Sequence, residues 1–191
     1  MKLLAAILNR AVSLPAGQIL VCSLFAANKV LCFRLLRMAE SDQKARKAAL
    51  NGKPFDERVD RRHTRAMKEI VAKHGWPGEK LVGTLGAQAA WLLVQHADHD
   101  REFQKACHHL LEISVNKNDA QARHLAYLTD RICVGDEIPQ IYGTQFDYPI
   151  ADLQHVDERR AAVGLSSLAE YLTESSAIRK MIKNDVPNPR I

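Results

Sequence analysis

The most chemically suggestive residues of the chain follow its most hydrophobic predicted helix. Gln95, His96 and Asp98 come where an almost entirely apolar stretch ends. A histidine oriented by a carboxylate can act as a general base or acid near neutral pH. We expect His96 to transfer a proton, with Asp98 as one carboxylate that could orient it and Gln95 as a substrate-binding amide. The alternative is structural, with the same groups hydrogen-bonding backbone at adjoining helix ends.

A second polar group lies late in another predicted helix. Positions 127, 130 and 131 share one helical face, which places a phenol, a carboxylate and a guanidinium together. Asp130 is the other carboxylate that could orient His96 in catalysis. Arg131 could pair with an anionic part of a substrate. A structural ion pair with a neighbouring helix is the competing interpretation.

Residues 135–150 contain two prolines, two glycines and three aromatic residues, and they show no helical period. A long segment without regular structure is usually functional or disordered, and the aromatic residues argue against disorder. We expect Tyr142 to belong to the catalytic group, and Gln140 and Gln145 to hold the substrate or a developing oxyanion. A loop that satisfies only its own backbone is the alternative.

Two further side chains complete the predicted binding site. Arg160 lies near the start of a short predicted helix and could reach a carboxylate or phosphate. Trp76 precedes a proline and could line a pocket, although a place in the wall of the core is the more common role for such a residue.

Several histidines and carboxylates near residue 96 raise the question of a metal site. His96 and His99 are three residues apart, but the helix is predicted to break at 98–100, so their side chains need not converge. The chain has no phosphate-binding glycine loop and no His-Glu-x-x-His motif. We therefore predict neither a metal ion nor a cofactor.

Helical spacing of apolar residues recurs along most of the chain and predicts an all-α fold. The predicted helices span 30–49, 55–74, 84–97, 101–115, 120–134, 157–163 and 165–173. We expect a single helical bundle over 34–183, with one ordered loop or short hairpin near 135–150. Residues 1–33 would form an amphipathic or partly buried extension, and residues 184–191 a frayed tail.

Composition limits the classes of protein that remain. The 191 residues are 47% hydrophobic and 26% charged, with a formal net charge of +5, which excludes bulk disorder. The four cysteines form no Cys-x-x-Cys pair, and a disulfide framework is not expected. The apolar runs at 3–8 and 19–27 are shorter than the roughly 20 residues that span a bilayer. We expect a cytoplasmic protein, with membrane contact through 1–33 as the less favoured possibility.

Basic residues are concentrated in one region of the sequence. Residues 34–80 hold 13 lysines and arginines against 7 aspartates and glutamates. Nucleic acid is an unlikely partner because no aromatic residues are interleaved for base stacking. A solvated helix face is the simplest interpretation of this region.

The sequence resembles a bacterial domain family of unknown function over about residues 42–172. The motifs that carry this resemblance are DQxxR (42–46), GWP (75–77), VG (82–83), AAWLLVQHAD (89–98), FQ (103–104), AYLTDR (126–131), QxYGTQ (140–145) and VDxRR (156–160). The resemblance implies a mostly helical domain. It brings no reaction that could be carried over to these residues.

Two functional hypotheses follow. The first is a small, metal-independent and cofactor-independent enzyme that acts on a polar small molecule or a modified amino-acid or peptide substrate, by hydrolysis, elimination or cyclisation. The second is a non-catalytic helical binding module in which the basic 34–80 face meets a partner. An enzyme requires the polar side chains to surround one pocket, whereas a module allows each to be satisfied separately.

Overall fold

The computed structural model describes residues 26–184, with side chains as far as residue 176. Seven α-helices are found in this part of the chain: α1 (Lys29–Leu50), α2 (Arg58–His74), α3 (Glu79–Gln95), α4 (Arg101–Asn116), α5 (Ala122–Gly135), α6 (Val156–Ala162) and α7 (Leu168–Asn184). A 3-10 helix, Leu153–His155, precedes α6. The predicted all-α fold is confirmed.

The centre of the fold is α3, because its residues are apolar on almost every side. α1, α2, α4 and α5 all pack against it, and the longest contact is with α1. Fully buried side chains from several helices meet around it, among them Leu35, Met67, Leu92, Leu111 and Leu128. α3 is bent at Gly83, whose φ of +71° lies in the left-handed region that favours glycine.

The helix ends show where local sequence signals hold and where tertiary contacts replace them. Asp100 caps α4 as its position suggests, accepting a hydrogen bond from the Phe103 backbone N–H at 3.3 Å. Asp119 precedes α5, yet its side chain accepts from the Lys80 N–H at 2.7 Å, at the start of α3. This carboxylate therefore ties α3 to the α4–α5 connection.

The segment between α5 and α6 is an ordered loop. Within residues 26–184 the structure contains no β-strand, and the loop has a single parallel bridge between Gln140 and Ile150. No helix in the same part of the chain is long and apolar enough to cross a bilayer. The predicted N-terminal extension lies mostly outside the described residues, except that residues 29–33 belong to α1. The predicted tail also lies outside them, apart from Asn184.

Candidate functional site

His96 is held in a buried polar cluster between α1 and the end of α3. Its Nδ1 lies 2.9 Å from Oδ2 of Asp42, and only 7% of the His96 side chain is exposed. Arg46, one turn further along α1, places its Nε 3.2 Å from Oδ1 of Asp42 and 3.0 Å from Nδ1 of His96. The carboxylate that orients His96 is thus Asp42, whereas the sequence suggested Asp98 or Asp130.

Two contacts of Nδ1 bear on the tautomer of His96. Oδ2 of Asp42 at 2.9 Å favours a hydrogen on Nδ1, whereas the Nε–H of Arg46, at 3.0 Å, favours a lone pair there. The same Nε–H is shared with Oδ1 of Asp42 at 3.2 Å, which leaves Nδ1 free to donate to Oδ2. Nε2 forms no hydrogen bond with any residue in 26–184. With the hydrogen on Nδ1, Nε2 bears the lone pair of the neutral ring and is an uncommitted base.

The charges in the cluster favour an ionised Asp42. Burial would raise the pKa of Asp42, but its contacts with His96 and Arg46 outweigh burial and hold the pKa well below its usual range. Arg46 also donates through Nη2 to Asp60 of α2 at 2.6 Å. Burial raises the pKa of Asp60, although Arg46 opposes the shift. One guanidinium thus holds carboxylates from α1 and α2 beside the imidazole.

A second histidine, which was not predicted from the sequence, belongs to this cluster. His63 of α2 is buried and lies close enough to Asp42 and His96 to interact with their charges. Burial lowers the pKa of His63, so its imidazole is neutral at neutral pH. Gln43 donates to Oδ2 of Asp42 at 2.8 Å. Nδ1 of His63 and Oε1 of Gln43 have no hydrogen-bond partner among residues 26–184. The available signal was polar residues at 42, 43 and 46 interrupting the apolar face of α1.

Asp98, Arg131 and Gln145 form a second polar group next to the turn that follows α3. Nε of Arg131 lies 2.8 Å from Oδ1 of Asp98, and its Nη2 contacts Oδ2, so the pair is bidentate. Nη1 of Arg131 donates to Oε1 of Gln145 at 3.2 Å. Burial would raise the pKa of Asp98, but its hydrogen bond and charge interaction with Arg131 lower it. The three predicted residues come together in this group.

This group lines a cleft of about 530 Å³ between the α3–α4 turn, α5 and the loop. Phe146 and Tyr148 form an aromatic side of the cleft. Arg101, the first residue of α4, also lines it and donates to the carbonyl of Ile132 near the end of α5 at 2.6 Å. The side chain of Asp98 is 44% exposed, so its carboxylate remains reachable despite the ion pair. The cleft thus combines a fixed ion pair with apolar surface, as sites for small organic ligands commonly do.

Asp130 anchors the loop and makes no contact with His96. It is fully buried and accepts hydrogen bonds from the backbone N–H groups of Ile141 (2.7 Å), Tyr142 (3.0 Å) and Thr144 (2.8 Å). The Thr144 hydroxyl adds a fourth bond at 2.9 Å. This ring of donors gives the 140–145 segment its shape.

Gln140 and Arg160 also hold the loop through its backbone. Gln140 donates to the carbonyls of Gln145 at 2.7 Å and Tyr148 at 3.0 Å. Arg160 donates to the carbonyl of Tyr142 at 2.6 Å and lies over the ring of Tyr171. The contacts of Gln140 lie within the loop, as in the alternative of a loop that satisfies its own backbone, whereas Arg160 supports the loop from α6.

The last three predicted residues are Tyr142, Gln95 and Trp76. Burial raises the pKa of the Tyr142 phenol, so it stays protonated at neutral pH. Gln95 is fully buried at the end of α3, and Trp76 is buried in the core. Within residues 26–184, no three histidine, cysteine, aspartate or glutamate side chains are arranged to hold a metal ion.

Comparison with known protein families shows to which family the chain belongs. A family model matches residues 30–179. The chain belongs to the family of unknown function DUF6624. The resemblance seen in the sequence is confirmed, and the match begins one residue after the start of α1 and extends into α7. Comparison with curated proteins and with solved structures found no match.

Proposed function

We propose that the protein is a small enzyme in which His96 transfers a proton during hydrolysis, elimination or cyclisation of a polar organic substrate. One observation carries the proposal: His96 is fixed through Nδ1 by a buried, ionised Asp42, while Nε2 has no partner among the described residues. A histidine used only as a structural link would be expected to commit both ring nitrogens.

The cluster supports each stage of such a proton transfer. Nε2 of His96 accepts the proton, and the negative charge of Asp42 stabilises the imidazolium that forms. Arg46 keeps Asp42 ionised and fixes its direction. The same Nε2 then returns the proton to a leaving group or product.

The cleft beside Asp98 is the proposed substrate site. The side chain of His96 does not itself line the cleft, but Asp98 follows His96 by two residues, so their Cα atoms are no more than about 7 Å apart. A substrate in the cleft would meet the fixed Asp98–Arg131 pair and the aromatic side chains of Phe146 and Tyr148. A cytoplasmic location, expected from the sequence, is part of the same proposal.

The rival binding module is less well supported by the basic face of α1 and α2. Many of its charges are already paired with carboxylates of the same chain. These pairs include Arg34–Glu69, Arg37–Glu40, Arg46–Asp60, Arg58–Asp56 and Lys68–Asp100. Paired arginines offer less attraction to an anionic partner than their number suggests.

The proposal is tested by incubating the purified protein with a mixture of polar metabolites and following each compound by mass spectrometry. The wild-type protein should consume at least one compound, and His96→Gln should consume it at least about a hundredfold more slowly, as expected for loss of an acid–base group. Asp42→Asn should also slow the reaction, because the imidazolium loses its counter-charge.

His109→Gln is the matched control, since His109 is 73% exposed on α4. It should react as the wild type does. Thermal melts establish that each variant is folded. Equal consumption by folded wild type and folded His96→Gln, or no consumption by the wild type, would contradict the proposal.

A further inference from the structure

The exposed face at the start of α1 has an unusual composition. The first five exposed residues of α1 are all basic or apolar, and none is acidic. They are Lys29, Val30, Phe33, Arg34 and Arg37, which we call the α1 stripe. Val30 is 81% exposed and Phe33 41% exposed, and their spacing of three residues places them side by side on the helix.

A groove of about 400 Å³ lies next to the stripe, between the start of α1 and the end of α2. Its lining contains the apolar Ile70, the basic Lys73 and the acidic Glu69. Arg34 and Arg37 pair with Glu69 and Glu40 respectively, whereas Lys29 forms no ion pair within residues 26–184.

The sequence before the stripe has the same charge bias. Residues 1–39 contain five basic residues, Lys2, Arg10, Lys29, Arg34 and Arg37, and no aspartate or glutamate. The apolar runs 3–8 and 19–27 fall in this same region. A basic, apolar segment without carboxylates is complementary to a surface that is anionic outside and hydrocarbon inside, as an anionic bilayer is.

We infer that the α1 stripe docks the protein on an anionic lipid bilayer. Val30 and Phe33 enter the boundary between headgroups and acyl chains. Lys29 faces the lipid phosphates, and Arg34 and Arg37 join it by exchanging their exposed pairs with Glu69 and Glu40 for phosphate. An acidic protein partner would account for the charges and for Val30 and Phe33. It would leave the apolar runs 3–8 and 19–27 without a role, whereas a bilayer accounts for them as well. The docking is independent of the proposed reaction at His96.

The test is co-sedimentation of the full-length protein with lipid vesicles. Vesicles of phosphatidylcholine mixed with phosphatidylglycerol should bind the protein, and vesicles of phosphatidylcholine alone should not. Binding should largely disappear at about 1 M salt, where the screening length falls to about 3 Å. Lys29→Ala should weaken binding roughly fivefold, as expected for one basic residue near an anionic surface.

The double variant Val30→Asp, Phe33→Asp should weaken binding at least about tenfold, because it removes apolar insertion and adds two repelled charges. The double variant Ile138→Asp, Leu153→Asp is the matched control, since both side chains are exposed, at 54% and 60%, and lie outside the stripe. It should bind as the wild type does. Melting curves verify folding.

Three results would overturn the inference. Absence of binding to anionic vesicles is the first. Unchanged binding by the folded stripe variant is the second, since it would assign binding to another part of the chain. The third is a change from dimer to monomer in the stripe variant on light scattering, which would make the stripe a contact between copies of this chain.

Discussion

Replacing Asp130 with alanine should destabilise the protein by about 4 kcal/mol. The carboxylate accepts four hydrogen bonds, of which two come from Thr144, a fully buried residue. Each buried donor left without a partner costs about 1–3 kcal/mol, while the half-buried N–H groups of Ile141 and Tyr142 can turn to water. Asp130→Asn keeps one acceptor oxygen, so its loss should be about half as large.

Urea unfolding measures the loss of unfolding free energy in each Asp130 variant, and amide hydrogen exchange shows which part of the chain is affected. The amides of Ile141, Tyr142 and Thr144 should lose protection in Asp130→Ala, while those of the buried middle of α3 keep theirs. Asp136→Ala, which removes a solvent-exposed carboxylate at the end of α5, is the control and should have a much smaller effect. A loss below about 1 kcal/mol with unchanged exchange at 141–144 would show that Asp130 does not anchor the loop.

Two further predictions concern the pH dependence of stability. His124 is buried and stacked on Trp91 at 4.3 Å, and burial together with Arg123 lowers its pKa from 6.5 to about 3. The unfolded chain binds this proton at a higher pH than the folded chain does. The free energy of unfolding should therefore fall by about 1.4 kcal/mol per pH unit as the pH drops from 6.5 towards 3. His124→Phe should lack this contribution in urea titrations across that range, and an unchanged slope would refute the assignment. Asp42 has a lowered pKa, so its ionised form stabilises the fold above its unfolded pKa of 3.8, and this is lost as the pH falls through the lower folded value. The stability gap between wild type and Asp42→Asn should therefore narrow below about pH 4, and a constant gap would contradict an ionised, paired Asp42.

The fold was predictable from sequence because its helices obey local rules. Apolar periodicity located all seven helices of residues 26–184. Gly52, with a φ of +87°, follows α1 at the position where a left-handed glycine commonly ends a helix. The start of α3 was placed five residues late, at 84 instead of 79. Gly83 interrupts the helical pattern there, and the turn before it is fixed by the distant Asp119.

The site was predictable only in part, because partners of buried polar groups come from distant segments. Asp98, Arg131 and Gln145 were expected at the site and do meet around one cleft. The partner of His96 is 54 residues away on α1, and no local spacing connects the two.

Asp130 illustrates the opposite case. A carboxylate late in a helix has the same sequence signature whether it orients a histidine or collects backbone N–H groups. Only the path of the following loop, which brings residues 141–144 around Asp130, distinguishes these roles. Sequence periodicity carries no information on that path.

The claim that His96 is poised for proton transfer is tested most directly by nitrogen-15 NMR of its imidazole ring. We expect the neutral ring to carry its hydrogen on Nδ1 and to have an unprotonated Nε2. Asp42→Asn should change this pattern while the exposed His109 is unaffected. A ring that carries its hydrogen on Nε2 in the wild-type protein, or a pattern unchanged in Asp42→Asn, would contradict it.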